Sequence, residues 1–207
     1  MGTKDRRARQ RLNLRQQILD AARDILVREG YDGLSMRRVA DRIDYSPTAI
    51  YLHFKDKQAL VVSLCDETFA RLTAELEALE KDVKDPLVRL RRGMACYVNF
   101  GLKNPNHYVP ALILPHPEDA LDAERQAEIV GPQSASMRAL GCLRRAIVDA
   151  MTAKKIRKVD PDVTTRAWWT ALHGVTSAMI IHGNFPWGDP QAVIDTLIDG
   201  LIDSVKK

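Results

Sequence analysis

Residues 34–60 read LSMRRVADRIDYSPTAIYLHFKDKQAL. Ser35 is a favoured N-cap, and Met36, Val39, Ala40 and Ile43 follow at three- and four-residue steps, the spacing of a short amphipathic helix. Asp44-Tyr45 breaks that pattern, and aspartate tolerates the left-handed backbone of a tight turn better than most residues with a Cβ. Ser46-Pro47 restarts it, with serine at the cap and proline at the first helical position, where its missing N–H does no harm. A short helix over 47–53 follows. Val39, Ala40, Ile43 and Ile50 can pack inward together, and Ala40 is small where two helices must cross closely. Two short helices on either side of such a turn form the helix-turn-helix plan, which places its second helix in the DNA major groove and its first across the backbone.

The flanking sequence also reads as helices. Upstream, Leu14, Ile18, Ala21, Ala22, Ile25 and Leu26 form an apolar stripe that Gly30 ends. This predicts a first helix starting near Leu12 or Leu14. Downstream, Asp56 caps a fourth helix running to about residue 81, and Asp85-Pro86 opens another that Gly101 and Asn104-Pro105 end. Helical pattern resumes over 106–114, and residues 115–121 read as a loop. A long helical stretch with a break near Gly131-Pro132 reaches about residue 153. Asp160-Pro161 opens a helix to about Gly183, residues 184–190 are a connector, and 191–205 form the last helix. The expected fold is all-α, with an N-terminal three-helix unit containing the helix-turn-helix, joined by a long fourth helix to a larger helical domain. The expected domains are 1–57 and 58–207.

Composition narrows the classes. A chain of 207 residues with 45% hydrophobic side chains folds around a core. No apolar run approaches the ~20 residues that cross a bilayer, so no membrane partner is expected. The basic, polar N-terminus lacks the apolar stretch of a secretory signal. Cys65, Cys96 and Cys142 are an odd number without a Cys-x-x-Cys pair, which argues against a disulfide framework. A cytoplasmic location is the expectation. The histidine and cysteine spacings suggest no metal site, and neither a cofactor nor a catalytic residue is expected. The net charge of +4 is unevenly placed: residues 1–15 hold six basic side chains and one acidic, net +5. Residues 16–57 balance at seven and seven, and 58–207 hold eighteen basic against nineteen acidic. Short basic arms of this kind bind nucleic acid or simply solubilise the chain.

The string 40–46 with Ile50-Tyr51-Leu52-His53-Phe54-Lys55, Lys57 and Leu60 resembles the TetR family of bacterial transcriptional regulators. The resemblance covers residues 14–60. It departs at Asp44, where the family usually has glycine, and at Thr48, where glycine or proline is frequent. Trp169-Thr-Ala-Leu-His173-Gly174 is similar to the Trp-x-x-x-His-Gly motif of one C-terminal subfamily, and Tyr97-Val-Asn-Phe100 and residues 104–108 resemble that subfamily's earlier helices. The resemblance implies a homodimeric repressor that leaves a palindromic double-stranded operator when a small-molecule effector binds the C-terminal domain.

Chemistry assigns candidate roles. Tyr51 and His53 can donate to phosphate oxygens, and Lys57 brings charge to a helix N-terminus, as Ser35 does with Arg37 and Arg38 beside it. Ser46, Pro47, Thr48 and Ala49 lie at the end of the recognition helix that reaches base edges; Thr48 suits a hydrogen bond or a thymine methyl, Ala49 only the apolar contact. Arg6, Arg7, Arg9 and Arg11, on an arm expected to be flexible, suit a minor groove or plain phosphate attraction. Tyr97, Phe100, His107, Tyr108, Trp168, Trp169 and His173 are candidates for lining a cavity for a mainly apolar effector, or core residues. Val175, Met179, Ile194, Leu197, Ile198 and Leu201 form stripes suited to a twofold interface, with intrachain packing accounting for part of them. A constitutive DNA-binding protein without an effector would share residues 1–60; a helical enzyme would need convergent titratable groups, and none stand out.

Overall fold

The computed structural model describes residues 3–114 and 123–206. The loop expected over 115–121 therefore lies outside the described residues. The elements are α1 (Thr3–Gly33), α2 (Met36–Arg42), α3 (Pro47–Tyr51), α4 (Lys57–Asp82), α5 (Pro86–Lys103), α6 (Pro105–Tyr108), a π-helical segment (Val109–Ile113), α7 (Ala123–Val130), α8 (Ala135–Thr152), α9 (Pro161–Ile181) and α10 (Pro190–Asp203). No strand occurs among the described residues.

The caps named in the sequence hold these boundaries: Ser35, Ser46, Asp85 and Asp160 each accept backbone N–H bonds at the start of α2, α3, α5 and α9. Asp189, placed in a connector by the sequence, caps α10. Ser134 does the same for α8 after the break at Gly131-Pro132. Gly30 breaks α1 with φ 70°, a conformation open to glycine without a Cβ penalty, and the chain then adds one more turn to Gly33.

One expectation about α1 is overturned. The helix begins at Thr3, well before Leu12, so the arginine-rich arm is helical rather than flexible. Apolar periodicity stops at Leu14 because the earlier turns bury nothing. Helicity continues because Ala, Arg, Gln and Leu are good helix formers and extend a helix that is already nucleated.

The chain divides into two compact units. The first holds residues 1–68 and 106–131, and the second holds 69–105 and 132–207. This partition differs from the expected 1–57 and 58–207: α4 contributes to both units, and α6, the π-helical segment and α7 belong with the helix-turn-helix.

In the first unit, Ile18, Ala22 and Ile25 of α1, Val39 and Ala40 of α2, Ile50 of α3 and Leu60 and Leu64 of α4 are buried together. Arg23 is also buried, with its guanidinium paired to Glu67 of α4 and, at 2.6 Å, to Asp20. The hydroxyl of buried Thr68 donates to the carbonyls of Leu64 at 2.9 Å and His107 at 3.3 Å, tying α6 to α4.

In the second unit, α5 lies among α8, α9 and α10. Leu90, Met94 and Val98 of α5 meet the small face of α8 (Ala139, Ala146, Ala150), Trp168 and Leu172 of α9, and Ile194, Ile198 and Ile202 of α10. Buried Thr165 and Thr176 donate to carbonyls four residues back, at 2.6 and 2.7 Å, so neither hydroxyl is orphaned. Arg91 bridges Asp195 at 3.0 Å and Asp199 at 2.8 Å on α10.

Ile50 is the side chain that fixes α3, with none of its surface exposed. Ile50→Ala is expected to cost about 3 kcal/mol in denaturant unfolding. A loss below about 1 kcal/mol would show that α3 is held by something other than this side chain.

Candidate functional site

The surface of the helix-turn-helix is built from its turn. The backbone N–H groups of Ile43 and Tyr45 both donate to the Ala40 carbonyl, at 3.2 and 3.0 Å, closing the C-terminus of α2. Asp44 sits between them at φ 57°, the left-handed position the sequence assigned to it. Ser46 then caps α3, accepting from the Ala49 N–H at 3.3 Å, and Pro47 opens the helix. Ile50 and Phe54 turn inward, which leaves Ser46, Pro47, Thr48 and Tyr51 exposed and Ala49 half-buried. Tyr51 keeps 55% of its surface, with its hydroxyl unspent in the core.

The cations around this surface differ in availability. Arg37 is open to solvent, with a 4.0 Å contact to Asp41. Arg38 is engaged: it donates to the Gly33 carbonyl and to Glu29, both at 2.7 Å, and the Glu29 carboxylate holds its guanidinium above the usual range. Arg38 thus secures the last turn of α1 to α2. Lys57 lies 3.7 Å above the centroid of the Tyr31 ring. Burial lowers its pKa from the ordinary lysine value, with Asp32 opposing the shift. The N-terminus of α4 is capped by Asp56, which accepts from the Ala59 N–H at 2.7 Å and lies 3.9 Å from Arg125 of α7. His53 is half-buried just beyond α3. Burial first, and then Arg11 and Arg15, lower its pKa, so the free protein carries it neutral at pH 7.

Arg6, Arg9 and Arg11 are exposed on the helical arm, while the Arg7 side chain lies outside the described residues. Two exposed side chains escaped the sequence reading: Tyr45, taken only as a pattern break, and Leu52, 73% exposed. The signal for Leu52 was its place two residues after inward-facing Ile50.

The effector candidates are dispersed. Tyr97, Phe100 and Trp168 are core residues of the second unit, and Tyr108 is buried in the first, which also holds half-buried His107. Trp169 and His173 do meet, their rings stacked at 5.4 Å and 13°, with Ser177 Oγ 3.4 Å from the imidazole. Burial lowers the His173 pKa. The dimer candidates also separate. Ile194, Ile198 and Met179 are buried within their own chain, because α10 presents its 194–198–202 face to α5 and α9. Val175, Leu197 and Leu201 stay half-exposed. Among the described residues there is no group of three side chains suited to a metal, and no helix is long and apolar enough to cross a membrane.

Comparison with known proteins bears on this site. A sequence model of bacterial regulatory proteins of the tetR family matches residues 18–64. A second, described as tetracyclin repressor-like, C-terminal domain, matches residues 90–205. The HTH-type transcriptional repressor AcnR of Corynebacterium efficiens is 33% identical over 97 residues, 47% of this chain and 45% of that protein. The chain thus spans about half the length of the curated relatives it matches. Among solved structures, a regulatory protein in the tetR family from Rhodococcus RHA1 superposes with a TM-score of 0.75 at 21% identity, covering 93% of this chain and 96% of that one. The regulator FadR from Bacillus subtilis, in complex with stearoyl-CoA, gives 0.78 at 16% identity, covering 90% and 97%. These two likenesses show the shared fold. With one sequence model matching more than half of its length and another its helix-turn-helix, the chain belongs to the TetR family of bacterial regulatory proteins.

Proposed function

We propose that this protein is a homodimeric transcriptional repressor that holds a palindromic operator and releases it when a small, mainly apolar effector binds. The observation that carries the DNA-binding part is the division of α3: Ile50 is sealed in the core while Ser46, Pro47, Thr48 and Tyr51 face outward. A five-residue helix presented in this way suits base edges at its N-terminal end and backbone phosphate at Tyr51. The repressor named among the relatives supports the sign of regulation.

The half-exposed apolar residues of α9 and α10 (Val175, Leu197, Leu201) suit a twofold interface, and a palindrome requires a twofold protein. Release follows from population shift: the effector favours a dimer in which the two recognition helices no longer match successive major grooves. The FadR structure with stearoyl-CoA supports an apolar effector, and the stacked Trp169–His173 pair is the candidate contact in the second unit.

Duplexes selected by the protein from a random pool provide the assay. Tyr51→Phe is expected to weaken binding to every duplex roughly a hundredfold, the effect of one hydrogen bond to a charged phosphate lost in each subunit, without changing base preference. Thr48→Ala is expected to relax selectivity at one position; unchanged affinity in Tyr51→Phe together with an unchanged selection profile in Thr48→Ala would refute this orientation of α3. Leu197→Glu is expected to give a folded monomer that has lost DNA binding, read by sedimentation; a dimer at the same concentration would remove α10 from the interface. For His53, a phosphate neighbour raises a pKa that is depressed in the free protein. Binding therefore takes up a proton and tightens as pH falls through the bound-state pKa toward the lower pKa of the free protein, and the gain is lost as pH rises through the bound-state pKa. Besides burial, Arg11 and Arg15 are the charges that lower it in the free protein. His53→Gln should flatten that profile.

A further inference from the structure

An open groove of about 670 Å³ lies in the first unit beside the recognition helix, between the N-terminal half of α1 and the turns that flank α3. Six of its lining residues carry hydrogen-bond donors: Gln10, Arg11, Asn13 and Gln17 from α1, Tyr45 from the turn before α3, and His53 from the turn after it. The other two are Leu14 and Leu52. None of the described residues lining the groove is acidic, although residues 16–57 hold as many acidic as basic side chains. Donors thus converge on a place from which carboxylates are absent.

The neighbouring positions on α1 are committed elsewhere. Arg15 donates to Ser63 at 3.3 Å, and Gln16 donates to Asp20 at 3.1 Å and Glu67 at 3.2 Å. Gln10, Asn13 and Gln17 stand at three- and four-residue steps on the groove face, which is about 10 Å long at the rise of an α-helix.

We propose that this groove is a track for the sugar–phosphate backbone of the operator, with the arginine-rich extension of α1 as one wall. The proposal rests on the DNA-binding reading above and adds to it a contact surface outside the recognition helix. Arg11 supplies the charge that pairs with phosphate; Asn13, Gln17 and Tyr45 supply neutral donors; Leu14 and exposed Leu52 offer apolar surface to deoxyribose. A helical wall also changes the assignment of the arm: a chain wound into a helix presents its side chains along one side of the backbone instead of threading a minor groove. Backbone contacts fix position and carry no direct base information.

The test uses the full-length protein, a duplex it selects from a random pool, and an unrelated duplex of equal length. The double variant Asn13→Ala/Gln17→Ala, which removes two donors from each subunit, is expected to bind both duplexes at least about a hundredfold more weakly, with the same salt slope and the same base preferences. Arg11→Gln is expected to reduce the slope of log K against log salt by about two, one for each subunit of the dimer. Gln17→Glu, of equal size, should weaken both duplexes further by placing a carboxylate in the track. Ethylation of phosphates outside the recognition-helix footprint should interfere with the wild type and no longer with the double variant. Thermal unfolding of each variant at the wild-type midpoint shows that the loss is not one of folding. Wild-type affinity in the double variant and in Gln17→Glu would overturn the proposal, as would a change in preferred flanking bases, which marks minor-groove reading. A wild-type protein that selects no duplex would instead overturn the DNA-binding reading, and this proposal with it.

Discussion

A five-residue helix has no stability of its own, since isolated helices shorter than about a dozen residues are marginal in water. That α3 exists at all is therefore a statement about Ile50, held without exposed surface where α3 packs on α2, and about the Ser46 cap. Everything the surface offers is set by this anchoring. With Ile50 inward, helical geometry forces Thr48 and Tyr51 outward, and the turn at Asp44 fixes the angle at which they emerge. The rest of the first unit makes the socket rigid: Arg38 ties α2 to the end of α1, and Arg23 with Glu67 ties α1 to α4.

Much of this was legible in the sequence because it follows local rules. The caps at Ser35, Ser46, Asp85 and Asp160 sit where the residue types place them, and Asp44 takes the left-handed turn despite the glycine usual in its family. What was not legible is instructive. Apolar periodicity reports burial, not helicity, so the solvent-wrapped turns before Leu12 were read as a loose arm when they are helix. The same limit blurred α10, whose stripe continues around more than one face. Sequence alone does not say that Ile194 and Ile198 turn toward α5 and α9 while Leu197 and Leu201 stay half-exposed. The pairing of Arg38 was not legible because its partners, Glu29 and the Gly33 carbonyl, are assembled only by the break at Gly30.

The division of the chain carries a related lesson. Residues 106–131 fall inside the match to the C-terminal family model yet join the compact unit of the helix-turn-helix. Two local contacts fasten them there: Thr68 to the His107 carbonyl, and Arg125 beside the Asp56 cap of α4. A π-helical segment, Val109–Ile113, continues directly from α6. Such segments carry a strained hydrogen-bond ladder and are frequent at functional sites. Sequence boundaries and mechanical boundaries are thus different properties of this chain.

The helical arm has a thermodynamic consequence. A segment that folds only on meeting its partner gives up conformational freedom at that moment, and this appears as a large negative heat capacity and a strongly enthalpic signature. Residues 3–11 are already wound as the first turns of α1, and Gln10, Asn13 and Gln17 hold fixed positions along that helix. Association through such a preformed wall loses little chain entropy, so its calorimetric signature is that of two rigid surfaces meeting.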